Sequence, residues 1–184
     1  MTDTASHEAF YRLLEPNPIG VVCAVGYLGD QGKGQEDFAE AREILETNFV
    51  GCVSILEIAA GDLEKRREGF IVGISSVAGD RGRATNYLYG SAKAGLTAFL
   101  SGLRGRLHRS GVQVLTVKPG FVRTKMTGHL DLPGLLTNEP EDVARAIFQA
   151  QRAGKRSIYT KGIWQGIMGI VRLLPESVFL RKKK

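Results

Sequence analysis

The chain has 184 residues, of which 43% are apolar and 24% charged, with a formal net charge of +6. That is enough for one domain with a real core, too little for two comfortable ones, and ordinary for a globular protein. Two cysteines, Cys23 and Cys52, are too few for a disulfide framework or a metal cluster and are expected as buried thiols in a reducing compartment. No charged and then apolar leader opens the sequence, and no apolar run approaches the roughly 18 residues of a spanning helix, so a cytoplasmic protein is expected.

Residues 6–15 (SHEAFYRLLE) place apolar side chains at helical spacing and stop before Pro16 and Pro18. The run IGVVCAVG (19–26) is continuously apolar and ends in glycine, which suits a strand covered on both faces. Residues 37–60 predict one long amphipathic helix, and GFIVGISS (69–76) a second buried strand. Residues 86–109 predict another long helix with Tyr89, Leu96, Leu100, Leu103 and Leu107 on one stripe. VQVLTVKPG (112–120) is a third strand stopped by proline. Residues 140–153 open a helix with proline and acids, and SIYT (157–160) is a short fourth strand. Strands and helices alternate without hairpin signals, which predicts an α/β fold: a parallel sheet with helices on both faces. In such sheets the chemistry lies at the carboxyl ends of the strands, here Gly26, Ser75-Ser76 and Pro119-Gly120.

The second long helix opens with YLYGSAKAG (87–95). Positions four apart share a helix face, so Tyr89 and Lys93 are expected on one side of the cleft. A free tyrosine titrates near pH ~10, and an ammonium close by favours the phenolate and lowers that value. Ser76, at the end of the neighbouring strand, would supply a hydroxyl to the substrate oxygen. A tuned acid beside a carbonyl suggests reduction or its reverse, with hydride from a nicotinamide. A Tyr-x-x-x-Lys pair alone occurs by chance in many helices; the strand ending SSVAG before it and the strand ending PGFVRT after it make the pattern far more specific.

Residues 70–126 resemble the short-chain dehydrogenase/reductase family. The family's strand-end serine, Tyr-x-x-x-Lys, Pro-Gly and threonine stand here as Ser76, Tyr89, Lys93, Pro119-Gly120 and Thr124, and Asn48 in ETNFVG matches its helix asparagine. The resemblance implies a Rossmann-like fold and a catalytic set of Asn48, Ser76, Tyr89 and Lys93. Tyr89 would be the acid/base, Lys93 its pKa-lowering neighbour and ribose ligand, Ser76 the group orienting the carbonyl, and Asn48 the residue completing the set through water. It also implies an NAD(P)(H) cofactor, NADPH in preference, held by Gly26, Tyr89, Lys93, Pro119, Gly120, Val122 and Thr124. The two long helices, 37–60 and 86–109, would pack against a second subunit in a homo-oligomer. The family's Asn-Asn-Ala-Gly reads Cys23-Ala24-Val25-Gly26 here, which keeps the glycine and loses the asparagine hydrogen bonds. Within the family, AVGYLGDQ, SSVAGDRGRATNYLYGSAKAG and the ending IYTKGIWQGIMGIVRLLPESVF look most like reductases acting on lipid-linked sugars, of the decaprenylphosphoryl 2-keto-pentofuranose type.

The family's Thr-Gly-x-x-x-Gly-x-Gly turn, which seats a pyrophosphate at a helix N-terminus, is not found in the sequence. The glycines of GIWQGIMG (162–169) have the wrong last spacing and context, and suit helix packing or membrane contact. Met1-Thr2-Asp3 resembles the segment just after the family's third strand. The expectation is therefore a truncated domain with strands 4-5-6-7 of the family order, from a mis-called start or a shortened gene, with the strand at 19–25 an exposed edge at Val21-Val22. A non-catalytic fragment or dimerisation partner is the alternative.

Arg81, Arg83 and His129 fall on the loops nearest Tyr89 and are candidates for binding a charged substrate, against the plainer reading of solvating charge. Residues 1–161 are expected as the catalytic domain and 162–184 as an amphipathic segment with a basic tail, Arg181 to Lys184. That segment is too short to span a bilayer and is broken by Pro175. Two roles remain open for it: an interfacial helix on the inner membrane face, or a lid over the cleft or a subunit interface. No stacking aromatics interleave the basic residues, so no nucleic-acid partner is expected.

Overall fold

A computed structural model of the protein describes residues 1–128 and 131–180. In chain order its elements are α1 (His7–Arg12), β1 (Gly20–Cys23), α2 (Gln31–Glu36), α3 (Phe38–Leu45), α4 (Gly51–Arg66), β2 (Phe70–Ile74) and α5 (Tyr87–Leu107). Then follow β3 (Gln113–Lys118), β4 (Phe121–Val122), β5 (Thr137–Asn138), α6 (Pro140–Arg152), β6 (Ser157–Tyr159), α7 (Gly162–Leu173) and α8 (Glu176–Leu180). The main sheet is parallel with strand order β1-β2-β3-β6, and β4 and β5 form a separate parallel pair. In register, Val22 lies beside Val72, Val72 beside Leu115, and Val117 beside Ile158. The parallel sheet covered by helices is the one that the alternation of strands and helices predicts, and its Rossmann-like architecture is the one that the family resemblance implies. Among the described residues β1 is an edge strand, with Val22 51% exposed.

Both faces of the sheet are covered. On one, Leu56 and Leu63 of α4 and Leu96, Leu100 and Leu107 of α5 pack over Ile71 and Val114. On the other, Ala150 and Ile147 of α6 cover Val72, Leu115 and Val117. Cys23 and Cys52 are free thiols buried in the first of these clusters. A third cluster joins Val77 to Trp164 and Met168 of α7, so the C-terminal segment packs directly on the loop after β2.

Two local features depart from the sequence pattern. The helix expected over 37–60 runs from Phe38 to Arg66 and contains a π turn at Glu46–Val50. It ends where Arg67 adopts a left-handed conformation (φ 58°), which turns the chain toward β2. At 29 residues it is long and apolar enough to cross a membrane by length and composition, contrary to the expectation above. Its Cys52, Leu56, Ala60 and Leu63 are instead buried in the core. The second departure is α2, which the glycines of QGKGQE conceal. The Asp30 carboxylate caps it by accepting from the Lys33 N–H at 2.9 Å. Glu40, 4% exposed, then ties this loop down, accepting from the Tyr27 hydroxyl (2.8 Å), the Asp30 N–H (3.0 Å) and the Lys33 ammonium (3.2 Å).

Candidate active site

The carboxyl ends of β1, β2 and β3 open on one cavity of about 820 Å³, a size ordinary for a small-molecule site. Gly26, Ser76, Arg83, Tyr89, Lys93, Pro119, Gly120, Val122 and Thr124 all line it. Residues from three separate βα connections thus converge because parallel strands deliver their following loops to the same edge.

Helix α5 is held against β2 by the Ser75 hydroxyl, which donates to the Lys93 carbonyl (2.8 Å) and shares a hydrogen bond with the Thr97 hydroxyl (2.6 Å). Gly79 completes the join: a Cβ there would press on the backbone of Lys93 and Ala94, so only glycine lets the loop after β2 lie on α5. The Ser76 hydroxyl oxygen accepts from the Ala78 N–H at 3.1 Å, and the hydroxyl also hydrogen-bonds Tyr89. Tyr89 is partly open to the same space.

The electrostatics of Tyr89 differ from the expectation. Burial pushes its pKa up to about 12, opposed only by a hydrogen bond with Ser76. Lys93 is turned mainly to backbone. That side chain is 2% exposed, and its ammonium donates to the carbonyls of Ile74 (3.1 Å) and Val25 (3.5 Å). It stands over the face of the Tyr89 ring, 5.7 Å from the centroid. Burial also lowers the pKa of Lys93 itself. The arrangement keeps Tyr89 protonated at neutral pH.

Asn48 does not line the cavity. It sits wholly buried in the π turn, where its amide donates to the carbonyls of Ile44 (2.8 Å) and Tyr27 (2.6 Å), and its oxygen accepts from the Tyr27 N–H (3.1 Å). This holds the chain just after Gly26, and a Cβ at Gly26 would lie 3.3 Å from the Asn48 oxygen and 3.6 Å from the Lys93 ammonium. π turns are frequent at functional sites, and this one lets the helix bring an amide to the end of β1.

Of the three charged candidates, Arg83 lines the cavity and Arg81 does not. The Arg81 guanidinium stacks on the Phe179 ring of α8 at 4.9 Å, and His129 lies outside the described residues. Sequence reasoning missed Gln31, Asn86 and Trp164, which also line the cavity. Gln31 accepts from the Leu88 N–H at 3.0 Å and so caps the start of α5 from across the cleft. Trp164 donates to the Leu136 carbonyl (3.0 Å) and packs edge-on against Phe121. Nothing in sequence spacing brings α2 or α7 to this place.

Residues 15–132 match the family model described as short chain dehydrogenase. An uncharacterized oxidoreductase of Mycobacterium tuberculosis is 42% identical over 182 residues, 97% of this chain and 73% of that protein. One of Streptomyces coelicolor is 35% identical over 161 residues, 88% of this chain and 63% of that protein. Among solved structures, a short chain dehydrogenase from Burkholderia cenocepacia in complex with NADP superposes with a TM-score of 0.85 at 17% identity, covering 100% of this chain and 78% of that one. One from Sphingobium yanoikuyae in complex with NADPH gives 0.78 at 20% identity, over 99% of this chain and 72% of that one. With Ser76, Tyr89 and Lys93 around one cavity and this match in sequence and fold, the chain belongs to the short-chain dehydrogenase family of oxidoreductases.

Proposed function

We propose that this site reduces a carbonyl to an alcohol, or runs the reverse, with a nicotinamide cofactor and Ser76, Tyr89 and Lys93 as its catalytic residues. The observation that carries the reading is the convergence of those three side chains on the cavity that Gly26 and residues 119–124 also line. A nicotinamide bound there supplies the hydride. The chain's own residues do the rest: Ser76 donates to the substrate oxygen, and Tyr89, protonated, delivers a proton to that oxygen. Lys93 holds a positive charge behind the ring. Asn48 acts from behind the wall, by fixing the backbone after Gly26.

The donor set fits the nicotinamide end of the cofactor. Lys93 has a third N–H beyond the two given to carbonyls, and Pro119, Gly120, Val122 and Thr124 offer a largely apolar wall. The pyrophosphate end is different, because the 184 residues contain no glycine-rich turn whose N–H groups would receive it. Isothermal titration of the 184-residue chain with NADPH is therefore expected to show binding weaker than micromolar; micromolar affinity would overturn this part of the reading.

The non-catalytic alternative keeps one supporting observation. Gly61 of α4 and Gly102 and Gly105 of α5 have open space where a side chain would stand, so another subunit's helices could approach them closely. Sedimentation equilibrium tests that surface, and a dimer abolished by Gly102→Glu is expected.

The narrower substrate, a lipid-linked sugar of the decaprenylphosphoryl keto-pentofuranose kind, rests on sequence resemblance alone. A membrane-surface role draws support from α7, whose outer face exposes Ile163, Ile170 and Leu173 while Trp164 and Met168 face inward. Such a face with basic residues in the sequence beyond it suits an anionic bilayer. The protein is expected to sediment with vesicles containing phosphatidylglycerol at low salt and to be released at high salt. No sedimentation at low salt would leave α7 a packing element of the cavity wall.

A further inference from the structure

The loop after β2 contains a buried ion pair that the catalytic reading does not use. The Asp80 carboxylate accepts from the Lys118 ammonium at 2.5 Å on one oxygen and from the Tyr159 hydroxyl at 2.7 Å on the other. The Lys118 and Asp80 side chains are 10% and 4% exposed. Lys118 also stands over the Tyr159 ring, 5.6 Å from its centroid. The three residues thus lock the ends of β3 and β6 to the segment that carries Ser76 and Arg83.

Both oxygens of Asp80 being engaged has a consequence for Arg83. Asp80 is the carboxylate whose charge acts on that guanidinium, yet among the described residues Arg83 forms no ion pair. Its one side-chain hydrogen bond is a long one, 3.7 Å, to the Met168 sulfur of α7. Among the described residues, a half-buried arginine with most of its donors unused lines the cavity. Desolvating a cation without a counter-charge is costly, so the arrangement is stable only if water or an anion completes it.

We infer that Arg83 is the binding residue for a phosphate group on the substrate, and that Asp80, Lys118 and Tyr159 are positioning residues that keep Arg83 unpaired and aimed at the cavity. The fork of a guanidinium matches two phosphate oxygens. Arg81 is excluded from the role by its stacking on Phe179. The word substrate rests on the reductase reading; the binding itself does not.

Trp164 is the single tryptophan and lines the cavity, so its emission reports occupancy without cofactor or turnover. The 184-residue protein would be titrated with ribose 5-phosphate, with ribose as the uncharged control, and separately with phosphatidic acid in phosphatidylcholine vesicles. Saturable change with a phosphate compound and none with ribose is expected. Arg83→Gln should weaken it on the order of tenfold or more, Arg83→Lys should fall between, and Arg81→Gln should leave it unchanged. Tyr159→Phe keeps the ring, releases one oxygen of Asp80 toward Arg83, and should weaken binding several-fold with little change in melting temperature. A response to the lipid alone assigns a lipid-borne phosphate, and a response to ribose 5-phosphate assigns a free one. Binding of neither, equal binding of ribose, or Arg83→Gln and Arg83→Lys both behaving as the unaltered protein would overturn the inference. A Tyr159→Phe protein that binds normally would remove the positioning role and leave Arg83 its own.

Discussion

Tyr89→Phe is expected to lower carbonyl reduction by roughly 10²- to 10⁴-fold, the usual contribution of a positioned proton donor. Folding should be nearly unchanged, because Phe fills the same volume and the lost hydrogen bond is one with Ser76 at the edge of a cavity. A structural tyrosine would show the opposite pattern, with stability lost and activity retained. The pKa adds a second signature. Burial raises it to about 12, so the phenol stays protonated through the neutral range. Reduction, which consumes that proton, should be insensitive to Tyr89 titration across the neutral range. Alcohol oxidation, which needs the phenolate, should rise with pH through the alkaline range. Lys93→Met removes the charge behind the ring and should lower both activity and cofactor affinity. A Tyr89→Phe protein that keeps more than a few per cent of activity would sink the assignment.

Gly120→Ala is expected to be the most disruptive single-methyl addition near the site. A Cβ at this position would fall inside the indole of Trp164, which is 3% exposed and has nowhere to retreat. Moving the ring breaks its hydrogen bond to the Leu136 carbonyl and its edge-on packing against Phe121. Overpacking costs about 1–3 kcal/mol and the lost hydrogen bond about 1 more. At roughly 2–4 °C per kcal/mol for a chain of this size, the melting temperature should fall by several degrees. Trp164 emission should shift to the red, since α7 is levered off the cavity wall. Gly166→Ala is the matched control: it lies in α7 with nothing near its Cβ position, so it should stabilise by about 0.5–1 kcal/mol. If Gly120→Ala melts with the unaltered protein, α7 is not the packed wall described above.

The parallel sheet, its helices and the serine, tyrosine and lysine that line the cavity were legible in the chain because each depends on local pattern. Apolar runs four to six residues long between helical segments read as covered strands, and Ser76 and Pro119-Gly120 mark strand ends wherever the strands go. The π turn at Asn48 was not legible. Nothing in ETNFV distinguishes it from an α-helix, and the amide is held there by the backbone of Tyr27, a partner 21 positions away. Helix α2 was hidden for a related reason: QGKGQE has poor helix propensity, and an Asp30 cap and the Glu40 hub hold it in place.

The residues themselves determined which groups can do chemistry here: a phenol, an ammonium and a hydroxyl at spacings that a helix and a strand end impose. Only the tertiary structure decided their electrical state. Burial of Tyr89 holds its proton more tightly than a neighbouring cation would suggest, while Lys93 gives two donors to the carbonyls of Ile74 and Val25. Asp80 gives both oxygens to Lys118 and Tyr159, residues 38 and 79 positions away, and among the described residues Arg83 is left without an ion pair. Charge acts through space and burial, and both are set by which distant segments the fold packs together, a distance that no count of positions along the chain contains.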